Sequence, residues 1–238
     1  MRRFFCDNIT TDTATITGDD AHHISRVLRM RAGDVLSLCD GAGNEYDALV
    51  AAVSPEVVVC TVSNPHASEA ESPVQVTLFQ CLPKAGKMEL IVQKCTELGV
   101  FSIVPVQSAR CVVVPGKDYE KKRERYNRVA LEAAKQSRRA MIPRVLPLTT
   151  LKKIDVKSFD LFLVAYEDEN TVSLKQALRA ASPKTIALLI GPEGGLEESE
   201  IAQLVQAGAK SVSLGRRILR TETAGMAMLA QTLYEVEE

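Results

Sequence analysis

No window of this 238-residue chain approaches the roughly 20 consecutive apolar side chains that a helix needs to cross a bilayer, so a helical membrane span is excluded. The opening MRRFFCDNIT lacks the apolar centre and small-residue cleavage site of a secretion signal, and a cytoplasmic protein is expected. Metal chemistry is equally poorly supplied. Six cysteines (Cys6, Cys39, Cys60, Cys81, Cys95, Cys111) stand singly in apolar stretches with no C-x-x-C pair, and His22, His23 and His66 offer them no partner at ligand spacing. No metal site is expected, and the cysteines read as buried reduced thiols. Internal repeats and low-complexity tracts are missing too.

A surplus of charge is also lacking: the formal net charge is −1. Its distribution is uneven, however. From Arg110 to Arg144 eleven basic residues stand against four acidic ones, while acid collects at Glu167–Glu169 and Glu193–Glu200. The first 31 residues add Arg2, Arg3, Arg26, Arg29 and Arg31, which are candidates for phosphate contacts. A chain neutral overall but locally basic can attract a phosphate backbone. The Lys117–Arg128 run taken alone fits a solvated helix face equally well.

What is present divides at SNPHASEAESP, Ser63 to Pro73, a polar stretch that reads as a linker. Before it, DVLSLCD, EYDALVAAV and EVVVCTV are short β-rich runs separated by turn signals, the spacing of a small antiparallel barrel. DDAHHISRVLRM interrupts them with one short helix, capped by Asp19 or Asp20. After the linker, apolar strands such as VQVTLFQCL, VFSIVPV, DLFLVAYE and TIALLIG alternate with segments of helical period, which predicts a parallel sheet covered on both faces.

Ligands of open α/β sheets sit beyond the carboxyl ends of the strands, and three such ends carry unusual residues: LVAYEDEN, GPEGGLEE and GRRILRTETAG. The glycines of LLIGPEGG do not give G-x-G-x-x-G, and G-x-x-x-x-G-K-[ST] does not occur. Glu193 would repel a pyrophosphate there and Pro192 removes a backbone donor, so a ligand with hydroxyls, an adenine edge or a positive centre fits better. A tight turn that uses glycine for positive φ is the structural alternative. In SLGRRILRTETAGMAM, Gly225 interrupts a helix at a cost of about 1 kcal/mol relative to alanine, which suggests that another backbone or a ligand passes close by. Thr221 or Thr223 is expected to cap that helix, with Arg220 and Glu222 at the rim of the pocket.

The segments CLPKAGKMELIVQKCTELGV, EAAKQSRRAMIP, LLIGPEGG and SLGRRILRTETA, in this order and preceded by HHISRVLRMRAGD, resemble the RsmE family of 16S ribosomal RNA uridine N3-methyltransferases, members of the SPOUT methyltransferase class. The likeness spans nearly the whole chain. One departure is Leu196, where the family often carries an aromatic. The resemblance implies a PUA-like β-barrel RNA-binding domain over residues 1–66, a linker over 67–73, and a SPOUT α/β domain over 74–238 whose C-terminal segment forms a trefoil knot, a rare exception to ordinary connections. It implies S-adenosyl-L-methionine as cofactor, 16S rRNA in the small ribosomal subunit as substrate, a homodimer, and neither DNA nor membrane as partner.

Matched motif by motif, the resemblance places the cofactor at Val164, Ala165, Gly191, Glu193, Gly194, Leu214, Gly215, Ile218, Leu219, Thr221, Thr223 and Ala224. Arg220, with Arg139 second, is the candidate for stabilising charge on the uracil. Glu222 either accepts the N3 proton or fixes Arg220. Open alternatives are a related enzyme acting on a ribose hydroxyl or a tRNA base, a non-catalytic RNA-binding module that retains the fold, and a nicotinamide oxidoreductase.

Overall fold

The computed structural model describes residues 2–84, 86–116 and 118–237. Lys117, at the start of the basic run, lies outside them. Two compact units emerge, one formed by Met1–Glu71 with Ala134–Ile142, the other by Ser72–Ala133 with Pro143–Glu238.

The first unit is a five-stranded sheet in the order β1-β3-β4-β5-β2, with β1 Arg3–Phe5, β2 Thr13–Thr17, β3 Val35–Cys39, β4 Asn44–Val53 and β5 Val57–Ala67. β1 pairs parallel with β3 and the other pairs are antiparallel, so the sheet is mixed where the spacing predicted antiparallel strands only. Its core gathers Phe4, Ile16, Ile24, Leu36, Leu38, Val50, Val58 and Val62. The short helix α1 (Gly18–His22) runs on into a π turn at His23–Val27. Asp19 and Asp20 lie in its first turn and not at its cap, which is Thr17 without a side-chain bond; there they answer the positive helix end instead.

Ser63–Ala67, read from the sequence as the start of a linker, is strand. It pairs with β4 through Glu45↔His66 and Asp47↔Ser63, and the register shifts between Glu45 and Asp47, leaving Asn64 (φ 53°) and Pro65 opposite Tyr46. A bulge is where a ladder tolerates a residue without an N–H. The QSRRAMIP segment, as far as Ile142, also belongs to this unit. Met141 bridges Gly41 and Ala42, and the Ile142 amide donates to the Gly41 carbonyl at 3.0 Å.

The second unit bears out the parallel sheet. Its strands are β6 Gln75–Cys81, β7 Ser102–Gln107, β8 Arg144–Val145, β9 Thr149–Thr150, β10 Leu161–Ala165, β11 Thr185–Ile190 and β12 Lys210–Val212, in the order β12-β10-β11-β6-β7-β8 with β9 also on β7, and every pair is parallel. Alternate side chains feed two cores. Val76, Leu78, Leu161, Leu163, Ile186 and Leu188 face α2 (Lys87–Glu97), α3 (Tyr119–Ser137), α4 (Leu174–Arg179) and α6 (Thr221–Val236). Phe79, Phe162, Val164, Ala187 and Leu189 face α5 (Glu198–Ala207). All six cysteines are buried, as expected. No described helix is long and apolar enough to cross a membrane.

Candidate active site

The loops that follow β10, β11 and β12 enclose a cavity of about 490 Å³ at the carboxyl ends of the sheet. Ala165, Ile190, Leu196 and Ala224 supply apolar lining, and Tyr166, Glu167, Asn170 and Ser213 supply polar lining. The β11 loop turns sharply: Gly195 sits at φ +69° with its amide donating to the Pro192 carbonyl at 2.9 Å, and a side chain there would run into the Glu167 carboxylate. Leu196 folds back beneath the turn, so that a Cβ on Gly191 would stand 3.3 Å from its Cγ. Residues 214–220 form the opposite wall without helix or strand.

A buried polar chain ties α6 to the β11 loop. The Thr221 hydroxyl donates to the Gly191 carbonyl at 2.7 Å and accepts from Gln80 Nε2 at 2.9 Å. Gln80 is fully buried near the end of β6 and also donates to the Cys81 carbonyl at 3.2 Å. This corrects the capping expectation. Thr221 is already the first helical residue, the cap position is Arg220 without a side-chain bond, and Thr223 is exposed. It also corrects the reading of Gly225: a Cβ there would lie 3.0 Å from Gln80 Oε1 and 3.6 Å from Leu78 Cδ2, so the close neighbour is the sheet and not a ligand or second backbone.

A second tie is ionic. Lys87, the first residue of α2, places its ammonium 3.0 Å from Glu193 Oε1 and 3.0 Å from Glu222 Oε2. The Lys84 amide donates to the same Glu193 oxygen at 3.0 Å. Burial pushes the Glu193 carboxyl up, but the Lys84 amide and the Lys87 ammonium outweigh it and hold it below the usual range. Glu222 is lowered chiefly by its own backbone amide, against burial, with help from Lys87 and the more distant Arg220 charge. Lys87 is drawn upward by Glu222 and then Glu193. The carboxylate expected to serve Arg220 is therefore engaged with a lysine that no sequence argument singled out.

Comparison with known proteins places this geometry. A family model described as an RNA methyltransferase domain matches residues 70–233, and one described as an RNA methyltransferase PUA domain matches residues 16–63. Ribosomal RNA small subunit methyltransferase E of Bacillus subtilis (strain 168) is 40% identical over 233 residues, which cover 94% of this chain and 91% of that protein. The chain belongs to the ribosomal RNA small subunit methyltransferase E family. The namesake from Synechocystis sp. is 35% identical over 94% of this chain and 74% of its own length. The crystal structure of the methyltransferase E from Neisseria gonorrhoeae bound to S-adenosyl methionine has a TM-score of 0.82 at 30% identity, covering 98% of this chain and 97% of that one. The two units thus carry the PUA-like and SPOUT-type α/β architectures of this family.

In this chain Ala165, Gly191, Glu193, Leu214, Gly215, Ile218, Leu219, Thr221 and Ala224 line the cavity together, with Arg220. Three others do not. The Val164 side chain is in the core, Thr223 faces solvent, and the Gly194 carbonyl turns to accept from Arg110 at 3.1 Å. Arg139 belongs to the first unit, where it is 3% exposed and bonds the Glu71 carboxylate at 2.6 Å, while Glu71 also accepts from the Ala140 and Met141 amides. Its guanidinium is committed to holding QSRRAMIP in place. Of the arginines proposed for RNA, Arg2, Arg26, Arg29 and Arg31 are exposed, whereas Arg3 is half-buried and bonded to Glu45 at 2.8 Å and to the Arg138 carbonyl. Arg216 and Arg217 also line the cavity, although within SLGRRILRTETA nothing local sets them apart from solvated arginines.

Proposed function

We propose that this protein transfers the methyl group of S-adenosyl-L-methionine to N3 of a uridine in 16S ribosomal RNA of the small subunit. The observation that carries the reading is the cavity at the three strand ends, in a chain that shares the fold of a relative crystallised with S-adenosyl methionine. Its volume of about 490 Å³ falls within the range of pockets that enclose small ligands. The apolar side chains of Ala165, Ile190, Leu196 and Ala224 suit an adenine ring, and the irregular 214–220 wall offers backbone groups to its edge. When bound, the cofactor supplies an electrophilic methyl on a sulfonium.

The chain's own residues have the remaining tasks. Uracil N3 is protonated at neutral pH and is engaged whenever the base is paired, so the protein must hold an unpaired base and favour loss of that proton to solvent as the N3–methyl bond forms. Arg220, exposed at the cavity wall, is the donor for charge developing on a uracil carbonyl oxygen. Glu222 anchors Lys87 and, through it, Glu193; it is a positioning residue in this reading and not the proton acceptor. Alignment of donor and acceptor supplies much of the rate, which is why two separate ties fix α6 to the β11 loop.

The same reading carries a cytoplasmic location, the trefoil threading of the C-terminal segment, and a homodimer. Leu90 and Leu98 at α2 and Tyr234 on α6, all exposed, support the last of these. Exposing whole small subunits and naked 16S RNA to labelled cofactor, then mapping the product, tests the proposal. Label on uridine N3 is the expected result; label only on a ribose hydroxyl or another base overturns it.

A further inference from the structure

The first unit holds a cavity of its own, of about 560 Å³, to which methyl transfer assigns nothing. Arg2, Phe4, His23, Leu28, Lys135 and Arg138 form its walls, over a floor containing Arg3, Ser37 and Glu45. The floor is internally satisfied. Glu45 is 8% exposed and accepts from Arg3 at 2.8 Å, from Ser37 Oγ at 3.3 Å and from Ser68 Oγ. Arg3 also donates to the Arg138 carbonyl. Arg138 stands at φ 61° just past the end of α3, where the Arg139 amide closes the helix by donating to the Ala134 carbonyl at 3.0 Å.

The walls differ from the floor. Asp20 answers Lys135 at 3.2 Å, but the guanidinium groups of Arg2 and Arg138 are exposed and enter no ion pair among the described residues. The same cavity is lined by Leu28 and by the rings of Phe4 and His23, which lie 6.3 Å apart. Two uncommitted guanidiniums sharing a cavity with these rings match the two halves of a nucleotide: a phosphate for charge-assisted hydrogen bonds, and a flat base for stacking.

We propose that this cavity holds one unpaired nucleotide of the RNA substrate, its phosphate on Arg2 and Arg138 and its base against His23 and Leu28. The proposal rests on the RNA-methyltransferase reading but concerns a site separate from the cofactor cavity.

The test is RNA binding by the full chain as a function of salt, with wild type, Arg2→Ala/Arg138→Gly and His23→Ala. Glycine at position 138 removes the guanidinium and relieves the left-handed backbone, so the double variant is expected to melt no lower than Arg2→Ala alone. Loss of the one single-strand phosphate contact flattens the slope of log affinity against log salt by about 0.7, so the affinity ratio between 50 and 200 mM salt shrinks about 2.6-fold. Affinity for S-adenosyl-L-methionine stays at the wild-type value.

An abasic scan of the RNA is expected to find one position whose base loss weakens wild type but not His23→Ala. An unchanged slope, or no such position, overturns the proposal. So does uridine monophosphate alone binding as tightly as RNA, which would mark a pocket for a free nucleotide. Failure of the wild type to methylate any RNA would sink the proposed reaction instead, and the salt slope, measured without cofactor, is read independently of it.

Discussion

Replacing Thr221 by valine removes one hydroxyl while keeping the branched shape, which isolates the link between α6 and the β11 loop. Thr221 is 5% exposed, donates to the Gly191 carbonyl at 2.7 Å and accepts from Gln80 Nε2 at 2.9 Å. Each such bond contributes about 1 kcal/mol net, and an orphaned buried partner adds to the loss. Gln80 keeps its bond to the Cys81 carbonyl, so its amide is only partly stranded. Thr221→Val is therefore expected to lower stability by about 2–3 kcal/mol. Thr221→Ser keeps the hydroxyl and loses one methyl, at a cost of about 1 kcal/mol. Urea titration with an unchanged slope reads the stability, and calorimetry reads cofactor affinity, which drops for valine and recovers for serine. Valine proving no worse than serine in both measurements would refute the reasoning, because the hydroxyl would then contribute nothing.

Three further outcomes follow from contacts described above. Glu71→Gln leaves the Arg139 guanidinium, 3% exposed, beside a neutral partner and should cost about 3–5 kcal/mol in thermal or urea unfolding, with part of the loss restored by Glu71→Gln/Arg139→Met. Arg220→Ala should sharply slow single-turnover methyl transfer while calorimetric affinity for S-adenosyl-L-methionine stays near wild type; parallel loss of both would remove its role in the transition state. The Glu169 carboxyl is held down at about 2 by the hydroxyls of Ser211 and Thr171 and then by the Thr171 and Val172 amides. A depressed carboxylate stabilises fully above its ordinary value of 4.5 and progressively less as the pH falls toward about 2, so Glu169→Gln should flatten the melting curve against pH within that window.

The alternation of strand and helix was legible because both faces of the parallel sheet are buried, which makes β6, β10 and β11 near-continuous apolar runs. The three strand ends that carry the site stood out because polar, glycine-rich residues interrupt those runs. Lys87 did not, since its carboxylate partners lie in distant segments and nothing local distinguishes it from a solvated lysine. The same holds for Arg139: the motif drew attention to it, but only the folded chain brings Glu71 alongside. Ser63–Ala67 escaped recognition as strand because all five residues but no apolar face are displayed to solvent, leaving no alternation to read. β1 has three residues and joins its sheet through a parallel pairing to a strand far along the chain, which a hairpin rule cannot anticipate.

The six buried cysteines divide evenly, with Cys6, Cys39 and Cys60 in the first unit and Cys81, Cys95 and Cys111 in the second. Each sulfur becomes alkylatable only when its surroundings open. The native protein therefore carries two sets of internal clocks, and peptide-resolved thiol labelling over time reports the breathing of either lobe without an introduced probe.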